Sequence, residues 1–235
     1  MANYLVTGAN RGIGLEFTRQ ILHRGERVVA CCRNPEGATE LEALATAQND
    51  DRLVICRLDV MQATAIASLP ELLEKKGILI DVLIPNAGVA ASSERLGLIQ
   101  EETMLRVLHT NAVAPMLIAQ AFADHLQAPK RNAKIICISS DLGSITYASG
   151  LTFGLSYGMS KAALNMGVKK LSSDLAHRGV MIVAMHPGWV QTDMGGPNAR
   201  FTPTESTLAM LRVIDKLSMA QSGLFIDHQG QQLPW

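Results

Sequence analysis

The stretch Gly8-Ala-Asn-Arg-Gly12-Ile-Gly14 constrains this chain more than any other. An apolar run, Asn3-Tyr-Leu-Val-Thr7, precedes it and reads as a short buried strand. An amphipathic stretch, Leu15 to His23, follows and stops at Gly25, as a helix does. Strand, glycine-rich turn and helix together form a phosphate cradle: the missing side chains let backbone approach, and the helix N-terminus offers free N–H groups and a favourable dipole. The spacing T-G-x-x-x-G-x-G departs from the commoner G-x-G-x-x-G dinucleotide fingerprint. Taken alone, the turn is a weak signal and can also be read as a simple tight connection; the strand before it and the helix after it favour the cradle.

The alternation that begins here continues. Apolar runs at Arg27–Cys32, Arg52–Leu58, Leu79–Ile84, Lys134–Ser140, Gly179–Met185 and Gly223–Ile226 read as further strands. Between them, Ile66–Lys76, a long segment from about Gly97 to Gln127, Tyr157–His177 and Glu205–Ser218 read as helices. Strands alternating with helices across short loops predict a single-domain α/β fold over residues 1–235. Its parallel sheet, of about seven strands, is doubly wound, with helices on both faces. The 48% hydrophobic content is enough for such a core, and no composition break divides it. Lys plus Arg (21) equals Asp plus Glu (21), which argues against a nucleic-acid partner. No apolar run approaches the roughly 18 residues of a membrane span. Met1 leads straight into the first strand without a basic segment, and Cys31, Cys32, Cys56 and Cys137 match neither a zinc site nor a disulfide framework. The expectation is a cytoplasmic protein with reduced thiols, no metal and no membrane partner.

Candidate functional residues cluster at the C-terminal ends of the strands, where open α/β sheets bind ligands. Where an acidic residue would bond a ribose 2′-OH, this chain has Arg33, and Arg11 precedes Gly12. Two guanidiniums beside that pocket suit a 2′-phosphate and predict NADP over NAD. Asp59-Val60 ends the third strand, either contacting adenine or simply capping it; Pro85-Asn86-Ala87-Gly88 ends the fourth with small residues that admit a flat ligand. Pro115 has no N–H to donate to the carbonyl of Asn111. That proline has two readings: a kink in a long helix, or a freed carbonyl holding a water. Ser139 and Ser140 end the fifth strand, and His186-Pro-Gly-Trp-Val190-Gln-Thr192 the sixth. The segment Asp193–Thr204 reads as a mobile loop beside a site, or as a surface connection. Tyr157 and Lys161, four apart on one helix, share a face. A cation beside a phenol favours its ionised form, which gives a proton-transfer role to a group otherwise neutral near pH 7.

The ordered set Thr7-Gly8-x-x-x-Gly12-x-Gly14, Asn86-Ala-Gly88, Asn111, Ser139-Ser140, Tyr157-x-x-x-Lys161 and Pro187-Gly188 resembles the short-chain dehydrogenase/reductase family. The tail, Pro187 to Gly196 with Gly230-Gln-Gln-Leu-Pro-Trp235, is more narrowly similar to the C-factor and sniffer-type carbonyl reductases. The resemblance implies a Rossmann-like fold and NADPH-dependent reduction of a small carbonyl substrate (aldehyde, ketone or quinone). In it, Tyr157 is the general acid, Lys161 lowers the tyrosine pKa and holds the nicotinamide ribose, Ser140 bonds the substrate oxygen, and Asn111 positions a water leading to Lys161. It implies that Gly8, Asn10, Arg11, Gly12, Ile13 and Gly14 surround the phosphates and adenosine, that Asp59, Val60, Asn86, Ala87 and Gly88 line the adenine and ribose side, and that Pro187, Val190 and Thr192 face the nicotinamide. The stretch from Ser140 to Tyr157 is longer than the family's usual spacing, which keeps Ser139 and Ser144 as alternatives. Assembly as a homodimer or homotetramer is implied too. So is a second role, a nucleotide-sensing or cell-signalling protein of C-factor type with little turnover.

Overall fold

The structure is a computed structural model and describes residues 1–48, 51–91, 94–126, 133–149 and 154–235, with the side chain of residue 48 excepted. Seven strands form one sheet: β1 (Asn3–Thr7), β2 (Arg27–Cys32), β3 (Leu53–Arg57), β4 (Val82–Ile84), β5 (Lys134–Ile138), β6 (Met181–His186) and β7 (Phe225–Asp227). Their order is β3-β2-β1-β4-β5-β6-β7, every neighbouring pair parallel. From β1 the chain builds outward to β3, crosses back, and builds outward again from β4. The reversal between β1 and β4 leaves a crevice at the strands' C-terminal ends.

Parallel strands are covered on both faces, and alternate residues divide between two cores. Leu5, Val29, Leu83, Ile135, Ile182 and Phe225 face one, with Leu73, Phe122 and Val168 from the helices α3 (Ala63–Lys75), α5 (Ala114–Phe122) and α6 (Leu155–Ala176). Val6, Val28, Ile84, Ile136, Val183 and Ile226 face the other, under Phe17, Leu41 and Leu211 of α1 (Gly12–His23), α2 (Thr39–Gln48) and α7 (Pro203–Lys216). The helix α2 was not predicted. It is alanine-rich and keeps only a narrow contact on the core, so its apolar stripe is faint in the sequence.

The expected helix from Gly97 to Gln127 is broken, and Gln127 lies outside the described residues. Helix α4 (Glu101–Leu108) gives way to a π turn, His109–Val113, and only then to α5. Pro115 stands at the start of α5, where its lack of an N–H costs least. Ahead of it the N–H of Ala114 reaches back five residues to the carbonyl of His109, so the register slips by one. That slip turns Asn111 inward, and it is fully buried.

Candidate active site

Lys161 lies one turn beyond Tyr157 on α6, and both face the end of β5. The Lys161 ammonium donates to the carbonyl of Ile138 at 2.7 Å and lies 5.5 Å from the centre of the Tyr157 ring. A Cβ placed on Gly88 would sit 3.4 Å from Asn111 Oδ1 and 3.9 Å from Lys161 Nζ, so these three residues converge. Asn111 is fixed by its side chain: Oδ1 accepts from the N–H of Val89 at 2.9 Å, and Nδ2 donates to the carbonyl of Val89 at 2.8 Å and to Ser160 Oγ at 2.9 Å. Ser160 in turn donates to the carbonyl of Tyr157 at 2.7 Å. The polar residue at the π turn therefore ties the loop after β4 to the first turn of α6. Neither Val89 nor Ser160 was singled out in the sequence, since a backbone amide and a helical serine carry no pattern of their own.

Burial sets the protonation of the pair. It lowers Lys161 from 10.5 to about 8 and pushes the half-buried Tyr157 up from 10.0 to about 12. A hydrogen bond with the Ser140 side chain pulls the phenol back down, and the Asp141 carboxylate pushes it further up. The sequence expectation is that the neighbouring cation lowers the tyrosine; in this structure burial raises it instead, so that Tyr157 is protonated near pH 7.

Of the three candidate serines, Ser140 is the one beside the phenol. Its hydroxyl donates to Asp141 Oδ1 at 3.1 Å and accepts from the N–H of Leu142 at 3.2 Å, the N-cap of a short 3₁₀ turn. Ser139 points the other way and donates to Asn165 Oδ1 at 2.6 Å in the core. Ser144 donates to the carbonyl of Trp235 at 3.2 Å. The alternation of a strand separates the first two, and the turn separates the third.

The glycine-rich turn is a cradle that side chains would fill. Gly8 has φ 65°, and a Cβ there would meet Ala87 Cα at 3.0 Å; one on Gly14 would lie 2.2 Å from the carbonyl oxygen of Gly8. No side chain caps the N-terminus of α1 and no acidic residue lies in its first turn, so its N–H groups stay available to an anion. The Thr7 hydroxyl accepts from the N–H groups of Asn86 and Ala87, both at 3.0 Å, and Asn86 Nδ2 donates to the carbonyl of Thr7 at 2.8 Å. Asn86 is thereby a brace between β1 and β4, with Ala87 and Gly88 left beside the crevice.

The remaining predicted positions fall around the same crevice. Asn10 is exposed at the turn, and Ile13 is partly covered in the first turn of α1. Asp59 accepts from the N–H of Met61 at 3.0 Å, the capping reading, and Val60 packs against the core. Pro187 accepts from Ser206 Oγ at 2.6 Å, Val190 pairs with Phe201, and Thr192 lies against Gly12. Arg33 is exposed at the end of β2, and its guanidinium has no hydrogen bond or ion pair with any described residue. The Arg11 guanidinium pairs at 2.8 Å with Asp193, in the loop that follows β6. The loop expected to be mobile is stitched down by Trp189 Nε1 to the carbonyl of Gly195 at 2.8 Å and Gln191 Nε2 to that of Ala199 at 2.9 Å.

Beside Asp141 opens a cavity of about 410 Å³ lined by Tyr147, His186, Trp189, Phe201 and His228. His186 Nδ1 accepts from the N–H of Asp141 at 3.2 Å, and burial lowers the imidazole pKa, so it is neutral. Among the described residues no group of three or more His, Cys, Asp or Glu side chains is placed to hold a metal ion, and no helix is long and apolar enough to cross a membrane.

A nucleotide cradle at the β1–β4 reversal and a Tyr–Lys–Ser–Asn cluster at the end of β5 define a class, and the chain belongs to it. The family "short chain dehydrogenase" matches residues 2–202. Among solved structures, the carbonyl reductase Sniffer of D. melanogaster is 35% identical, with a TM-score of 0.94 over 100% of both chains. The NADPH-bound carbonyl reductase from chicken fatty liver is 39% identical, with a TM-score of 0.92 over 100% of this chain and 99% of that one. The C-signal protein of Myxococcus xanthus is 42% identical over 156 residues, 66% of this chain and 93% of that protein.

Proposed function

We propose that the protein is an NADPH-dependent reductase of a carbonyl compound, with Tyr157 as the general acid. The observation that carries this reading is the convergence at the end of β5 of the Tyr157 ring, the Lys161 ammonium 5.5 Å from its centre and the buried Asn111 side chain, with burial raising the phenol to about 12. A group that holds its proton through the neutral range is suited to give it to a developing alkoxide and poorly suited to take one from an alcohol. Bound NADPH would supply the hydride. The residues present fit it: the uncapped α1 N-terminus and the turn from Gly8 to Gly14 suit a diphosphate, and the free guanidinium of Arg33 suits a 2′-phosphate. The NADPH in the chicken enzyme supports the same choice.

The protein's own part is orientation and proton delivery. Ser140 Oγ turns its hydrogen from Asp141 to the substrate oxygen and holds it against the Tyr157 hydroxyl. Tyr157 gives its proton to that oxygen, and the phenolate left behind is stabilised by the Lys161 ammonium. With a pKa of about 8, Lys161 both gives and regains a proton near neutrality, so it can refill the phenol. A water on the Asn111 carbonyl would carry that proton from solvent; the π turn and Pro115 support this. The cavity beside Asp141, walled by Tyr147, Trp189 and Phe201, takes the remainder of the substrate. The chain works as one domain over residues 1–235, in the cytoplasm with its four cysteines free, as a homodimer or homotetramer.

Tyr157→Phe tests the assignment. Turnover of a reactive aldehyde or quinone falls by about 10²–10⁴-fold, while NADPH binding measured by fluorescence titration stays within a few-fold. Reduction by the variant at the wild-type rate removes Tyr157 from the mechanism.

The match to C-signal supports a second reading, a nucleotide-binding signalling protein with little turnover. A sensor needs the glycine cradle but not the Tyr157–Lys161–Ser140 cluster. NADPH consumption over a panel of aldehydes, ketones and quinones separates the two.

A further inference from the structure

The ion pair between Arg11 and Asp193 bridges two segments far apart in sequence. Arg11 is the N-cap of α1, in the turn that cradles phosphate; Asp193 follows β6, in the loop over the other half of the crevice. The two segments already touch one residue away on each side, since a Cβ on Gly12 would meet Thr192 Cγ2 at 3.3 Å. Both side chains stand in solvent, 68% and 81% exposed, so the pair is weakly held and free to exchange partners. What matters is the partner: Arg11 Nη1 is held by a carboxylate at 2.8 Å, whereas the Arg33 guanidinium, at the end of β2, has no partner among the described residues.

We infer that Asp193 is an internal competitor for Arg11 and thereby tunes the preference for NADPH over NADH. To grip a 2′-phosphate alongside Arg33, Arg11 must first give up the Asp193 carboxylate that its Nη1 holds at 2.8 Å. A phosphate dianion outbids a single carboxylate, so the exchange runs toward bound cofactor, but part of the gain is spent in breaking the pair. NADH lacks the 2′-phosphate and leaves Arg11 with Asp193. The loop after β6 thus affects cofactor choice from the nicotinamide half of the site. The inference rests on the NADPH reading above.

The experiment is a direct titration of NADPH and NADH into wild type, Asp193→Asn, Arg11→Gln and the double variant, followed by calorimetry, with no turnover required. Asp193→Asn is expected to bind NADPH about two- to five-fold more tightly, the scale of an exposed ion pair, and NADH within about 1.5-fold of wild type. In the Arg11→Gln background the same substitution is expected to change neither affinity. Unchanged or weaker NADPH binding by Asp193→Asn overturns the inference, as would a clasp holding the loop closed over the dinucleotide. Equal tightening for both dinucleotides, or tightening that persists without Arg11, overturns it too, because a general charge effect then suffices. A wild type that binds NADH as well as NADPH removes the 2′-phosphate reading itself, a result visible before any variant is made.

Discussion

At the Tyr157 end of the crevice, ionisable groups are shielded from water and held by short bonds within the protein. At the Arg11–Arg33 end, guanidiniums stand in solvent with one weak partner or none. Desolvation acts strongly at the first: it moves Lys161 to about 8 and Tyr157 to about 12. Water screens the second, so charge there acts by reach and by competition for partners. On the proposed reading, one end fixes a proton's position and the other captures a multivalent anion and lets it go. Changes at the buried end should therefore alter turnover, and changes at the exposed end should alter affinity.

Serine substitutions probe the buried end most sharply after the tyrosine itself. Ser140→Ala removes a donor to the substrate oxygen and lowers kcat by roughly 10²–10³-fold. Ser139→Ala leaves kcat nearly intact but strands the buried Asn165 carbonyl, costing about 1–3 kcal/mol, which thermal unfolding reads as a Tm lowered by several degrees. If Ser139→Ala abolishes turnover and Ser140→Ala does not, the assignment between the two is reversed. At the exposed end, Arg33→Asp weakens NADPH by about 10- to 100-fold, the scale of a charge-assisted phosphate contact, and NADH by less than about three-fold. Equal losses for both cofactors in parallel titrations would mean that Arg33 does not meet the 2′-phosphate. The smallest of these effects comes from pH. A lysine that supplies protons must be protonated, so the reduction rate falls as pH rises through about 8, the Lys161 value, by up to about ten-fold per unit. Tyr157, at about 12, contributes nothing to that limb. A profile flat to pH 10 takes Lys161 out of the proton path.

Much of this was legible in the sequence because the signals are local. The glycines of the phosphate turn are required by backbone positions only a few residues apart, and Tyr157 and Lys161 share a helix face through periodicity alone. The β1 and β2 boundaries were read without error, since a parallel strand covered on both faces is an unbroken apolar run. The π turn was half legible: Pro115 marked a break in the helical hydrogen-bond ladder, but a proline cannot say how the helix will absorb it. Helix α2 left too shallow an apolar stripe to read.

The sequence by itself determined the class of fold, the glycine-rich turn between β1 and α1, and the shared helix face of Tyr157 and Lys161, because periodicity and turn chemistry depend on near neighbours. Only the tertiary structure decided that burial raises the tyrosine, since burial depends on residues remote in sequence. The same holds for Arg11. Its place before Gly12 put it at the phosphate turn, but its partner is Asp193, on a loop after β6, and a crossing of the sheet that brings such segments together is written in no local pattern.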